Sequence, residues 1–565
     1  DQAMSRDRRG LRSIVALGEQ FSEGQPWETL RVLLGFGSDL SRDAMLTMFD
    51  AAGEASRSPL IIFIDALNET TPRTLWRTHL ATMIQQVSRY QWVRLCVSCR
   101  TSYEDVLPAG LPIPSVEHRG FESVEFEAFP AFFAHYGLEL PSIPLLQSEF
   151  SNPLFLRLVC ESLQDEGIHR FPHQMLGLTE VVERLVRVKE SKLADPARLD
   201  YDPREGYVHQ GVRALVAEMR IRQQRWLPWA DASKVLSAIR PSPTRSTSLL
   251  DGMVREGLLA EDRLAAPGQK PVDVVRFGFE RIADHLIISE VLAGIGEQVD
   301  QAFAPGGAAY YLIRDPSTVE TRGLLEALSI QLPERFHREL PDVVRGGRDI
   351  PALLAAFARS LPWRSPESIS LSTEDLVEYA LGVPEVFGAM LNAVLSVAPR
   401  PDHLFNGLWI HQLLAGLHMP ERDAAWCPFL FREEGAQRSV DRLIRWALTA
   451  DLRPVGDDVI KAWSLALAWF CAATNRKVRD RATKGMVRLL SSNPRPCAAL
   501  VHLAISEIDD EYVIERVLCS VYGALIRSKD QPSLTSTAAV VLSAFQSGGI
   551  PVNAVVRDLA RSILE

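Results

Sequence analysis

The sequence predicts a parallel α/β core at the amino-terminal end of the chain, followed by a long α-helical region with one winged-helix element inside it. Three observations predict this. Leu60-Ile61-Ile62-Phe63-Ile64 is continuously apolar and stops at Asp65, and Val93 to Val97 supplies a second apolar strand; continuous apolar runs mark parallel strands covered on both faces. Between them Leu75, Trp76, Leu80, Met83, Ile84 and Val87 recur at helical spacing, the crossover a parallel pair needs. Past residue 301, glycine and proline fall between segments of helical period, such as Leu324 to Leu332 and Val386 to Val397.

The elements follow in order. Gln2 to Arg9 predicts a helix, Ser13 to Leu17 a strand, and Ser115 to His118, after the turn at Pro108, Pro112 and Pro114, a last strand. From Phe121 to Glu190 the period is helical, and Pro153 suits the first turn of a helix over Leu154 to Leu163, where its missing N–H costs nothing. Pro196 to Pro203 reads as a linker. Helices over Val208 to Met219, Ala230 to Ile239 and Ser248 to Gly257, then strands at Leu258 to Ala260 and Val274 to Phe279 around Pro267-Gly268-Gln269-Lys270, make a winged helix. Val478, Ala482, Met486, Leu489 and Leu490 share one helical face. The Arg479-Asp480 pair at the start of that helix reappears as Arg557-Asp558, 557 minus 479 or 78 residues on, the length of two HEAT-type helix pairs. Asp480 also suits a helix start through the macrodipole alone. The last helix is expected to expose an apolar face of Val555, Val556, Leu559 and Ile563.

In an open parallel sheet, ligands sit beyond the carboxyl ends of the strands, so Asp65, Glu69 and Arg100 are delivered to one edge. Asp65 there can hold a magnesium ion, Glu69 can polarise a water, and Arg100 can touch a terminal phosphate. Ordinary termination of a buried strand by polar residues is the plainer account of Asp65 and Glu69. The sequence contains no G-x-x-x-x-G-K-[ST] phosphate loop. An exposed charged turn beside a core tryptophan explains Glu421-Arg422-Asp423 with Trp426 as well as a signature motif does, and His403, His411 and His418 have no acidic or cysteine ligand spaced with them, so metal binding there is not expected.

The 61 basic and 71 acidic residues give a formal charge of -10, which argues against a general electrostatic grip on nucleic acid or anionic membrane. Seven cysteines, an odd number scattered through apolar contexts such as Cys96, Cys160 and Cys471, suggest reduced core thiols and a cytoplasmic protein. No apolar run reaches about 18 residues, so no membrane span is predicted. A chain of 565 residues exceeds a single core.

The text from Ile14 to Tyr103, with Gly18-Glu19-Gln20-Phe21, Pro26-Trp27, Asp65 to Glu69 and Ser98-Cys99-Arg100-Thr101-Ser102-Tyr103, resembles the P-loop NTPase core of STAND-class signalling ATPases. Within that class it is most similar to the Avs-type bacterial antiviral proteins, relatives of NACHT domains. The resemblance continues through Glu149-Phe150-Ser151-Asn152-Pro153-Leu154-Phe155-Leu156, Arg276 to Arg281, Glu421-Arg422-Asp423 and Arg479-Asp480. It implies an NTPase core over 1–119, a helical lid over 120–195, a winged helix over 196–300 and a HEAT-like sensor over 301–565. It also implies ATP or ADP with Mg2+ as cofactors, with Asp65 at the metal, Glu69 and Arg100 as catalytic residues, and Asn152 and Pro153 at the nucleotide base. Arg281 stands where the family usually has a nucleotide-sensing histidine; pairing with Asp284 or Glu280 is the alternative. In the family the phosphate loop lies just upstream of where this sequence opens, so a missing upstream segment is expected. The implied function is antiviral: a foreign phage protein docks on the repeats, ATP replaces ADP, and self-oligomers activate an effector. Two alternatives stay open, a winged-helix DNA-binding regulator and a non-catalytic helical scaffold.

Overall fold

The computed structural model describes residues 6–7, 9–21, 24–67, 70, 74–99, 111, 114–116, 118, 120–122, 124–171, 177–242, 244, 247–264, 272–317 and 319–565. The fold is predominantly helical with one small parallel sheet. It divides into two compact units, Asp1–His118 and Arg119–Glu565.

In the first unit, β1 (Ser13–Leu17), β2 (Leu60–Asp65) and β3 (Val93–Val97) form a parallel sheet in the order β1-β2-β3, with Val15 opposite Phe63 and Phe63 opposite Cys96. The crossover between β2 and β3 is the helix Thr74–Val87. The apolar run of β2 is not covered equally on both faces as predicted. Leu60, Ile62 and Ile64 are buried with Trp76, Leu80, Met83 and Leu46, whereas Ile61 and Phe63 are half-buried and Val15 is exposed on their side. The helices therefore shield one face of the described sheet more fully than the other, and the side-chain period of two becomes visible in the burial. Ser115 and Val116 are not in a strand, and Val116 is 92% exposed. A strand needs a paired neighbour and a covered face, and Val116 has no such cover. Of the predicted helix Gln2 to Arg9, Arg6 and Asp7 are helical and Arg9 is in a turn; the others lie outside the described residues.

The second unit opens with the helices Glu125–His135, Pro153–Asp165 and Leu178–Ala194. Three more, Tyr207–Arg222, Trp229–Ile239 and Leu249–Arg255, precede the antiparallel hairpin of β5 (Leu259–Leu264) and β6 (Val272–Phe277). A third strand, β4 (Trp226–Pro228), joins β6 to give the order β4-β6-β5; three residues are too few to show a period in sequence. The expected helix Leu324 to Leu332 extends over Val319–Phe336 and includes Pro333 in its last turn.

From residue 439 the helices stack in two rows. Ser439–Thr449 packs on Arg476–Ser492, which packs on Glu511–Leu525, which packs on Ala554–Leu564; Asp457–Phe470, Cys497–Glu507 and Gln531–Gln546 form the second row. The 78-residue repeat is physical. Arg479 donates to the carbonyl of Ala473 and Arg557 to that of Pro551, each six residues back, and Asn475 and Asn553 each cap the helix with a side-chain oxygen. These two rows are consistent with a helical solenoid. The last helix differs from expectation: Val556, Ala560 and Ile563 are buried against its neighbours and only Val555 of the predicted face is exposed.

Candidate functional site

Those of the predicted site residues that are described fall in two places, one in each unit. At the carboxyl edge of the first unit's sheet, Asp65 is the last residue of β2 and is exposed. Its Oδ1 accepts a hydrogen bond from the hydroxyl of Ser98, which directly follows β3. The two strand ends are tied by backbone bonds, Ser98 N–H to Ile64 O at 3.1 Å and Leu67 N–H to Ser98 O at 2.8 Å. The end of β1 joins them through Gly18, where a Cβ would run into the carbonyl oxygen of Ala66. Beneath this edge Trp76 Nε1 donates to Thr70 Oγ1, which donates to Gly18 O, both at 2.7 Å and buried. Buried polar groups that are fully paired in this way hold a loop in one arrangement.

The edge therefore presents a carboxylate and a hydroxyl, hard oxygen ligands of the kind magnesium takes. No group of three metal-ligating side chains occurs among the described residues. Magnesium keeps most of its shell as water and substrate phosphate and needs one or two protein carboxylates, so Asp65 with Ser98 fits that mode. Glu69 and Arg100, the predicted catalytic pair, lie outside the described residues, as does Asn68.

The remaining predicted residues meet in the second unit. Asn152 caps the helix Pro153–Asp165: its Oδ1 accepts from Leu154 N–H at 2.9 Å and Phe155 N–H at 3.2 Å. Pro153 is the first helical residue, where it sacrifices no hydrogen bond. Gly120 packs against this turn so closely that a Cβ would meet Ser151 O at 2.5 Å and Pro153 Cδ at 3.0 Å, and Phe121 N–H bonds Ser151 O.

Arg281, in the first turn of the helix Glu280–Ile295, pairs with neither Asp284 nor Glu280; both of these pair with Arg225. Its partners are distant in sequence, Glu149 three residues before Asn152 and Glu326 in the helix Val319–Phe336. The guanidinium also lies over Trp363, 5.1 Å from the ring centroid, and Trp363 Nε1 donates to Glu149 at 2.8 Å. Phe150 stacks on the same indole, and Arg359 approaches Glu326 at 3.5 Å. Burial lowers the Arg281 pKa and Glu326 opposes the shift, so the cation is held by its carboxylates. One guanidinium thus ties three stretches of the second unit together. A parallel tie runs from Arg442 in the helix Ser439–Thr449, whose Nε donates to Glu125 at 2.8 Å and whose Nη atoms reach the carbonyls of Leu145 and Leu146.

Sequence reasoning singled out Arg281 but missed Glu326 and Trp363. Glu149 lay inside a quoted motif without a role. Arg422, expected in an exposed turn, is fully buried, bonded to Asp509 at 2.5 Å and set over Trp469 at 4.8 Å. His411 is held between Trp469 and Glu507 rather than with other histidines. No family model matches the chain, and no curated protein matches it.

Proposed function

We propose that the chain is a nucleotide-switch ATPase of the STAND class, acting in antiviral defence, with Mg2+-ATP or ADP bound at the sheet edge that carries Asp65. The observation that carries this reading is the Asp65 carboxylate at the end of the central β2, fastened to Ser98 at the end of the neighbouring parallel strand. A carboxylate in that place suits a metal that bridges phosphates. In this reading Glu69 orients the attacking water and Arg100 meets the terminal phosphate. The Arg281 junction is the clamp whose opening accompanies activation, the two-row helical stack receives a foreign protein, and oligomers of the chain then form.

A winged-helix DNA regulator is the weaker reading. The helix Leu249–Arg255, third of its group and the one that would enter a major groove, packs its Gly252 face on Leu193 and Leu199. Glu256, just beyond it, is tied to Lys189, Lys192 and Arg198. That helix is engaged within the protein.

The test is ATP turnover in the protein extended upstream through the expected phosphate loop. Glu69→Gln should keep ATP binding and lower hydrolysis by about 100-fold or more. Unchanged turnover, or turnover stimulated by DNA and by no protein, contradicts the proposal.

A further inference from the structure

We propose that the loop between the helices Pro384–Val397 and Gly407–Ala415 holds a buried inorganic anion of the size of chloride, between the Arg400 guanidinium and the His403 imidazole.

Two guanidinium groups are buried in this neighbourhood, and their contrast carries the argument. Arg364 is 0% exposed and fully engaged: Nη1 and Nη2 bond the Glu339 carboxylate at 3.0 and 2.9 Å, and Nε reaches Ser368 Oγ at 3.3 Å. Arg400 is 2% exposed, yet its Nε, Nη1 and Nη2 are all buried without a hydrogen-bond partner. The carboxylate that approaches it, Asp402, stands 3.9 Å away with a side chain 44% exposed, beyond hydrogen-bond reach. A guanidinium brings five donors and a permanent charge, and a buried cation without acceptors is among the costliest arrangements a core can hold.

His403 supplies the second donor. It is 1% exposed, and its Nδ1 accepts from Phe405 N–H at 3.2 Å, which places the proton on Nε2. Nε2 is itself buried without a partner in hydrogen-bond geometry. Burial, then the charges of Arg400 and Arg364, keep this imidazole neutral, with the Leu361 carbonyl acting weakly the other way. A neutral N–H beside a guanidinium is a donor set for an anion, as in charge-assisted recognition generally.

Charge balance favours an anion over water. Glu339 is taken up by Arg364, and the carboxylate nearest Arg400, Asp402, is 3.9 Å away with a side chain 44% exposed, so the Arg400 charge is met only at a distance; water would satisfy donors and leave that charge. The enclosure favours a small ion. Leu361, Val397, Ala398 and Phe405 are all 0% exposed, and Asp402 stands at the solvent side. A monatomic ion needs less room than an oxyanion in a loop whose neighbouring side chains are this fully buried.

The experiment is anomalous diffraction from crystals of the protein in which bromide replaces chloride. A bromide peak at hydrogen-bond distance from Arg400 is expected; water there, or the Asp402 carboxylate closed onto Arg400 with no peak, overturns the proposal. In solution, chloride added at constant ionic strength to a gluconate buffer should raise Tm saturably by about 1–3 °C. Arg400→Met should abolish both peak and response. Asp402→Asn, which leaves the cluster intact and removes a competing carboxylate, should tighten the apparent chloride affinity several-fold. An unchanged chloride response in both variants contradicts the site.

Discussion

The sheet edge of the first unit and the Arg281 junction of the second handle charge in opposite ways. Asp65 is exposed and accepts one hydroxyl hydrogen bond, so its carboxylate can exchange water for a cation at little cost. Arg281 is part-buried, paired with two carboxylates and stacked on an indole, so any ligand reaching it must first displace protein partners. The difference teaches that one charge is left open to a ligand whereas the other is committed to partners within the fold. A buried pair is weak evidence of stability gained, but breaking it is expensive because a charge is left alone.

The strongest way to sharpen this contrast is to remove the two charges separately. Arg281→Met leaves Glu149 with the Trp363 N–H and Glu326 with Arg359 at 3.5 Å as partners, and should lower the opening free energy of the surrounding helices by about 3–4 kcal/mol. Hydrogen exchange over Pro153–Asp165, Glu280–Ile295 and Val319–Phe336 reads this directly, since a global two-state value is not defined for a chain of two units. Protection unchanged in those helices would break the comparison.

Next in size is a pH effect beside Arg281. Burial raises the Asp284 carboxyl to about 6, against the pull of Arg225, and burial lowers His285 to about 3, helped by Arg335 and Arg281. Between pH 4 and 6 the folded chain keeps the proton on Asp284 and the unfolded chain keeps it on His285, so the two contributions to the slope cancel. Single variants unmask them. With His285→Gln the Asp284 contribution remains, and stability falls as pH rises from about 4 to 6; with Asp284→Asn the His285 contribution remains, and stability rises over that window and is lost as pH falls. Each slope amounts to about 3 kcal/mol across the window. Equal slopes in both variants, read by hydrogen-exchange protection of the helix Glu280–Ile295 corrected for the intrinsic rate at each pH, would dispose of this account.

Smaller still is the cap. Asn152→Ala should cost about 1 kcal/mol by freeing the N–H groups of Leu154 and Phe155, and Asn152→Asp should restore it. If Asn152→Asp also left nucleotide affinity unchanged, Asn152 would be a cap and nothing more. Smallest on stability is Asp65→Asn, under about 0.5 kcal/mol for an exposed residue.

Much of this fold was legible because the signal was local. Helices with a sustained apolar face, the strand Leu60–Asp65 and the turn before Pro153 are each written in a dozen residues or fewer, and the structure has them close to where the period places them. The Arg479 and Arg557 contacts show that even a 78-residue repeat leaves a readable pair. What escaped depends on distance. Glu326 looks like an ordinary polar position of a helix, and nothing within its own turn tells that it meets a guanidinium 45 residues away. Arg422 reads as surface because arginine is usually exposed, until the Trp469 face and the Asp509 carboxylate close over it from another helix. At the sheet edge, Asp65 was legible from the strand, whereas Ser98 as its partner required the parallel register of β2 and β3.

The most direct measurement is metal-dependent nucleotide binding at the sheet edge. In the protein extended upstream through the expected phosphate loop, Mn2+ substituted for Mg2+ in the presence of ADP should give an electron paramagnetic resonance signal of bound metal. Asp65→Asn should weaken that binding by about 10-fold or more while leaving the melting temperature of the chain unchanged. Metal bound equally well by the wild type and Asp65→Asn, or no nucleotide-dependent metal signal in either, would contradict the assignment of this edge as the site of a nucleotide switch.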